Sequence, residues 1–340
     1  MAGRGKSAAL VALALLLSLP SLLFGCAGGG NGGNSESNPP ALSVAPEATQ
    51  PGDGEETETN IETAAEPTNV KRVIVLAGQS NAVGHSHMKF LPDAAGKISP
   101  ERMEKLKKGY ANIQILYNNN NFLSTKSGNR RFAPVNFGCG VNVSDVTFGP
   151  EVGIAEYLDE NYPGEEFYII KCATGGTTLF KDWNPTLKEE KNNLYAWLLT
   201  FTEEALGQLT ADGSEAEIIS FCWMQGETDS YAGQDFYKDS TFSEYNDLFG
   251  KLVDGFSEKF SAYLPEGGLA VIQGGISSYW SKASRLNAAK QLFAKERENT
   301  YFFSTYDLTY DVDNTDYYHF DAAAMILLGN RFGEYVAKTF

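Results

Sequence analysis

The chain has 340 residues, with 43 acidic and 27 basic side chains and a formal net charge of −16. Phosphate repels so acidic a surface, which argues against a nucleic-acid binder. Three histidines and four cysteines, none at metal-ligand or redox spacing, point away from a metal or thiol centre.

Residues 1–26 read as an export signal. Arg4 and Lys6 precede an apolar run from Ala8 to Phe24, which ends at Gly25-Cys26 and turns polar. This end resembles the lipobox of bacterial lipoproteins. The resemblance implies cleavage before Cys26, acylation of Cys26 and an anchor seated in one leaflet without spanning the bilayer. An extracytoplasmic, membrane-anchored location follows as the expectation. Residues 27–69 carry seven Glu, one Asp and no Lys or Arg, hence −8. Their Gly, Asn, Ser, Pro and Thr cannot bury enough apolar surface to offset ordering entropy, so a disordered acidic linker is expected. The leader carries +2 and this linker −8, so residues 70–340 carry −10. Their length suits one α/β domain.

Within that domain, short continuous apolar runs alternate with amphipathic stretches. Expected strands are Val73–Leu76, Ile113–Tyr117, Phe167–Ile170, Ile218–Trp223 and Leu269–Ile272, with Tyr301–Phe303 as an edge strand. Continuous apolar character indicates strands covered on both faces. Expected helices are Glu151–Asn161, Asn192–Leu209, Thr241–Tyr263, Ser284–Asn299 and Ala322–Lys338. In the last, Met325, Leu328, Phe332 and Val336 share one face. Asn118–Asn121 reads as a polar loop. Cys172 and Cys222 fall in strand runs and read as small buried hydrophobes. The alternation predicts an α/β fold with a parallel, doubly wound sheet, whose chemistry gathers at the carboxyl ends of its strands.

Ser80 follows the first strand at a helix start. That position suits a nucleophile, because free N–H groups there can stabilise an oxyanion. It equally suits a helix N-cap. A serine nucleophile needs a base. His85 and His87 read as decoration of a loop. His319 stands three residues after Asp316, an acid able to hold its tautomer from the same turn. Gln225 and Glu227 lie beyond the fourth strand, where they could serve a site or, with Asp229, cap the next helix. Gly175 and Gly176 after the third strand let backbone approach a ligand. Gly149 opens the second helix with N–H groups suited to an oxyanion. Trp183, Trp197, Trp223 and Trp280 could stack sugars, with core packing the plainer reading for most.

Five segments, Leu76–Asn81, Phe148–Glu151, Ala173–Thr177, Trp223–Asp229 and Asp316–Phe320, resemble in order those of the sialate O-acetylesterase and acetylxylan esterase group (carbohydrate esterase family 6) of the SGNH hydrolases. The resemblance spans about residues 72–335. It implies a flavodoxin-like, three-layer α/β/α fold with a central parallel sheet. It also implies removal of acetyl groups from carbohydrates with no metal or cofactor. Carried over by position, Ser80 is the nucleophile and His319 the base. Asp316 ranks first as the orienting acid, with Glu227 close behind. Ser80 and Gly149 supply oxyanion N–H groups, while Gln79, Asn81, Gly175 and Gly176 surround the substrate. The wider superfamily has an asparagine where this chain has Thr228, which leaves Gln225 as the candidate third donor. An esterase or lipase acting on other acyl esters, and a non-catalytic surface glycan binder, are the alternatives.

Overall fold

Lys71–Gly78 forms the first strand, β1. Val73, Ile74, Val75, Leu76 and Ala77 are all fully buried. Successive strand residues face opposite ways, so both faces of β1 are covered. The computed structural model describes residues 70–91, 98–120, 126–144, 146–231, 236–308, 310–311 and 316–340. All lie in the compact unit Ala64–Phe340. The leader, Cys26 and the acidic linker lie outside the described residues.

After β1 come α1 (Ser80–Val83), β2 (Ser86–His87), α2 (Pro100–Lys108), β3 (Tyr110–Asn120), β4 (Lys126–Gly128), β5 (Ala133–Val135) and β6 (Thr147–Phe148). Then α3 (Glu151–Asn161), β7 (Phe167–Ala173), α4 (Leu194–Thr210), β8 (Ala216–Met224), α5 (Ser243–Lys259) and β9 (Ala270–Gly274) alternate. The described chain closes with α6 (Ala283–Glu296), β10 (Thr300–Phe303), β11 (Tyr310–Asp311), β12 (Asp316–Phe320) and α7 (Ala322–Val336). Among the described residues the main sheet runs β10-β9-β8-β1-β7-β3-β4, with β5 also on β3. The pairs from β10 to β3 are parallel, and β4 and β5 add antiparallel edges. Helices α3 and α7 pack together, as do α4 with α5 and α5 with α6, and both groups contact the sheet. This is the expected α/β sandwich.

The expected helices agree with the structure to within a few residues, and Met325, Leu328, Phe332 and Val336 are fully buried. Asn118–Asn120, expected as loop, instead extends β3, with Asn118 and Asn119 against β7 and Asn120 against β4. A polar strand end is tolerated because buried Asn119 donates from Nδ2 to the carbonyls of Cys139 and Gly140 at 2.9 and 3.2 Å. Helix α2 was not expected. Its signals are Ser99, which accepts from the Arg102 N–H at 3.2 Å, and Pro100 in its first turn. Cys139, Cys172 and Cys222 are free and buried. No helix among the described residues is long and apolar enough to cross a membrane.

Helices α3 and α7 cross at paired glycines. A Cβ on Gly153 would lie 2.1 Å from the Ile326 carbonyl oxygen, and one on Gly329 would lie 2.2 Å from that of Pro150. This close contact seats α7, whose N-terminus directly follows His319.

Candidate active site

The strand register explains why distant segments meet. Gly78 at the end of β1 stands level with Ala173 of β7 on one side and Met224 of β8 on the other. The three central strands therefore release their next residues at one height: Gln79–Asn81, Thr174–Thr177 and Gln225–Asp229. Gly78 has φ +147°, and a Cβ there would meet the Met224 carbonyl oxygen at 2.0 Å. Only glycine lets β1 turn this close to β8.

A cavity of about 250 Å3 opens at these strand ends. Gln79, Ser80, His85, Gly175, Gly176, Thr228, Trp280, Tyr318 and His319 line it. Ser80 is the first residue of α1, and the N-cap position belongs to Gln79, which makes no side-chain cap bond. The helix-cap reading of Ser80 is thus set aside. The Ser80 N–H, in the first turn, has no intrahelical acceptor. Gly175 packs beside it, since a Cβ on Gly175 would lie 3.6 Å from that of Ser80.

His319 enters from β12, and the next peptide unit is held on both sides. The Phe320 N–H donates to Asn81 Oδ1 at 3.3 Å, and its carbonyl accepts from Ser86 Oγ at 2.9 Å. Asn81 Nδ2 in turn donates to Glu227 Oε1 at 2.8 Å. Asn81 thereby ties the serine loop, the β8 loop and the histidine strand together. The His85 ring stacks on that of His319, with centroids 4.0 Å apart and planes 7° from parallel. His85 is therefore part of the site wall, not loop decoration. His87 stands apart from it, edge-on to Phe90.

Glu227 is fully buried, and burial pushes its carboxyl above the usual range against the opposing bond from Asn81 and the charges of Lys290 and His319. Its Oε2 has no hydrogen-bond partner. Asp316 begins β12, and its side chain lies outside the described residues. Buried Lys290, lowered to about 8 by desolvation, donates to the carbonyls of Gln225 and Gly274, both at 2.7 Å. It pins the ends of β8 and β9 under the site.

Two expected oxyanion donors are engaged elsewhere. The Gly149 N–H donates to Glu151 Oε1 at 2.8 Å. Glu151 Oε2 pairs at 2.7 Å with Lys171 Nζ, which also donates to the carbonyls of Val83 and Cys139. Gln225 Nε2 is committed to Asp229, to the Thr177 carbonyl at 3.0 Å and to Gln79 Oε1 at 3.3 Å. Its Oε1 accepts from Tyr245. Gly149 and Gln225 are not among the described residues that line the cavity. Gln79 is the residue that turns inward. Its Oε1 accepts from Gln225 and from the Gly226 and Thr228 N–H groups at 3.4 and 3.3 Å. Gln79 also lines the cavity. Asp229 does not cap α5; it is buried and accepts from the Leu179 and Phe180 N–H groups and from Tyr237. Trp183 and Trp223 are core residues, whereas Trp280 reaches the cavity.

Ser80, at the turn after the central strand, thus shares one small cavity with His319, which comes from the last strand of this α/β domain. Residues 70–338 match the family model described as carbohydrate esterase, sialic acid-specific acetylesterase, and the chain belongs to this family. Two solved structures share the fold. A protein from Arabidopsis thaliana aligns at 18% identity and TM-score 0.55, covering 80% of this chain and 100% of its own. NanS aligns at 18% identity and TM-score 0.52, covering 80% of this chain and 98% of its own. No curated protein sequence matches the chain.

Proposed function

We propose that the protein is a serine esterase that removes O-acetyl groups from carbohydrates through an acetyl-Ser80 intermediate. The observation that carries this reading is the convergence of Ser80, His319, Gly175 and Gln79 on one cavity of about 250 Å3. That space suits an acetyl group and part of a sugar better than a long acyl chain.

His319 takes the hydroxyl proton as Ser80 Oγ attacks the acetyl carbonyl carbon. Negative charge gathers on the carbonyl oxygen. The N–H groups of Ser80 and Gly175 and the Gln79 amide are assigned to receive it, each worth about 3 kcal/mol. Gly175 and Gln79 thus take the roles first given to Gly149 and Gln225. Collapse expels the sugar alcohol, which receives the proton from His319. Water, deprotonated by His319, then attacks the acetyl-serine and releases acetate. Acetate release from a panel of acetylated sugars, xylan fragments and sialic acids among them, tests the reading. Release from at least one is expected; hydrolysis of long-chain esters alone would contradict it.

Asp316 is assigned as the acid that orients His319. Glu227, bonded to Asn81, instead holds the serine loop against the β8 loop. Asp316→Asn is expected to lower kcat by about 10³- to 10⁴-fold through the wrong imidazole tautomer. Glu227→Gln keeps an acceptor for Asn81 and should cost about tenfold. A loss of about tenfold or less for Asp316→Asn would contradict its role, and a loss for Glu227→Gln as large as about 10³-fold would contradict the positioning role of Glu227.

The extracytoplasmic lipid anchor rests on Arg4, Lys6, the apolar run and Cys26. Intact mass of the protein from its native membrane should show an acylated N-terminal Cys26. A mature chain retaining residues 1–25 would overturn the anchor.

A further inference from the structure

Two loops at the carboxyl ends of the sheet and strand β12 bring aromatic side chains to one patch. Tyr231 comes from the turn after β8, Tyr279 and Trp280 from the turn after β9, and Tyr317 and Tyr318 from β12. The four tyrosines are 40–49% exposed. They form one contiguous set. Tyr279 stacks on Tyr317 with planes 15° apart at 6.1 Å, and meets Tyr318 edge-on at 5.6 Å. Trp280 lies 5.4 Å from Tyr318 and 6.1 Å from Tyr231. The patch is continuous with the active-site cavity, because Trp280 and Tyr318 also line it. The Trp280 Nε1 is buried without a hydrogen-bond partner, whereas a buried tryptophan normally finds one. No hydrogen bond therefore explains this indole's position; its neighbours in the patch do.

Contiguous exposed aromatic surface marks a place of interaction. Tyrosine and tryptophan offer flat apolar faces with polar edges at small entropic cost. Such faces complement the C–H faces of sugar rings. We propose that Tyr231, Tyr279, Trp280, Tyr317 and Tyr318 form a stacking platform for an uncharged glycan chain whose acetyl group enters the cavity. This rests on the carbohydrate esterase reading above and names its substrate class. The ligand is uncharged for two reasons. Among the described residues, the cavity lining holds no Lys or Arg to pair with a sugar carboxylate. The charge of −10 on residues 70–340 also repels anionic sugars.

The test compares acetylated xylo-disaccharide, acetylated xylo-hexasaccharide and an O-acetylated sialic acid as substrates for wild type, Tyr279→Ala and Tyr317→Ala. Wild type should favour the hexasaccharide over the disaccharide by about tenfold in kcat/KM, a gain of the size expected from one or two aromatic contacts. Either substitution should erase most of that preference through KM. A parallel titration follows fluorescence quenching of Ser80→Ala by unacetylated hexasaccharide, alone and combined with Tyr279→Ala. Quenching should weaken about tenfold in the combined variant. Deacetylation with no chain-length preference, or with a preference that survives both substitutions, overturns the platform. So does faster turnover of the O-acetylated sialic acid. If no substrate loses acetate yet the titration behaves as expected, the platform stands and the esterase reading falls.

Discussion

Ser80→Ala is expected to lower kcat on a simple aryl acetate by about 10⁴-fold or more, with far-UV circular dichroism and melting temperature close to wild type. Ser80 is 7% exposed and opens onto the cavity. No other hydroxyl in the cavity lining shares its placement at the first turn of α1. Thr228 belongs to the loop whose backbone holds Gln79, and Tyr318 faces the aromatic patch. Losing the Ser80 hydroxyl removes the covalent path and leaves only binding and oxyanion stabilisation, which explains a residual rate above that of water. The fold is spared because the β1-to-α1 turn is held by backbone bonds: the Gln79 N–H to Met224, and the Ala82 and Val83 N–H groups to Gln79. Turnover within a few fold of wild type would remove Ser80 from the mechanism.

The second large effect is on stability. Lys171→Met should destabilise the domain by about 3–5 kcal/mol, because it leaves the fully buried Glu151 carboxylate without its ion-pair partner. For a domain of this size that amounts to a drop of roughly 6–20 °C in melting temperature. The loss also reaches the site. Lys171 Nζ holds the Val83 carbonyl at the end of α1 and the Cys139 carbonyl at 2.8 and 3.0 Å. Pairing the change with Glu151→Met should recover much of the stability, since an apolar pair can replace a buried ionic one. It should recover less of the activity, because the Val83 carbonyl stays unpaired. Urea unfolding of the two single variants and the double variant measures the coupling. Additive losses would mean that the pair does not act as a unit.

The same lysine shows what a sequence conceals. The apolar run that marks strand β7 in the sequence ends at Ile170. The strand continues through Lys171 to Ala173, and the charge is buried because Glu151 and two carbonyls surround it. A lysine inside Ile169-Ile170-Lys171-Cys172 was the available signal for a buried ion pair. The central strands were readable because burial on both faces writes itself as unbroken apolar runs. Ser80, Gly175 and His319 were readable because each sits at a strand end or just before a helix. That the Gly149 N–H donates to a carboxylate two residues further on was not legible, because local spacing does not tell which way a side chain folds back. His85 and the tyrosine patch depend on contacts between loops remote in sequence. No periodicity records those.

The central claim is that Ser80 is the group that accepts the acyl unit. Peptide mapping by mass spectrometry after treatment with a serine-directed phosphonate tests it directly. A single adduct on the peptide carrying Gly78-Gln79-Ser80-Asn81, lost in Ser80→Ala and suppressed in His319→Ala, is the predicted result. An adduct on another residue, or an active enzyme that takes up none, would contradict it.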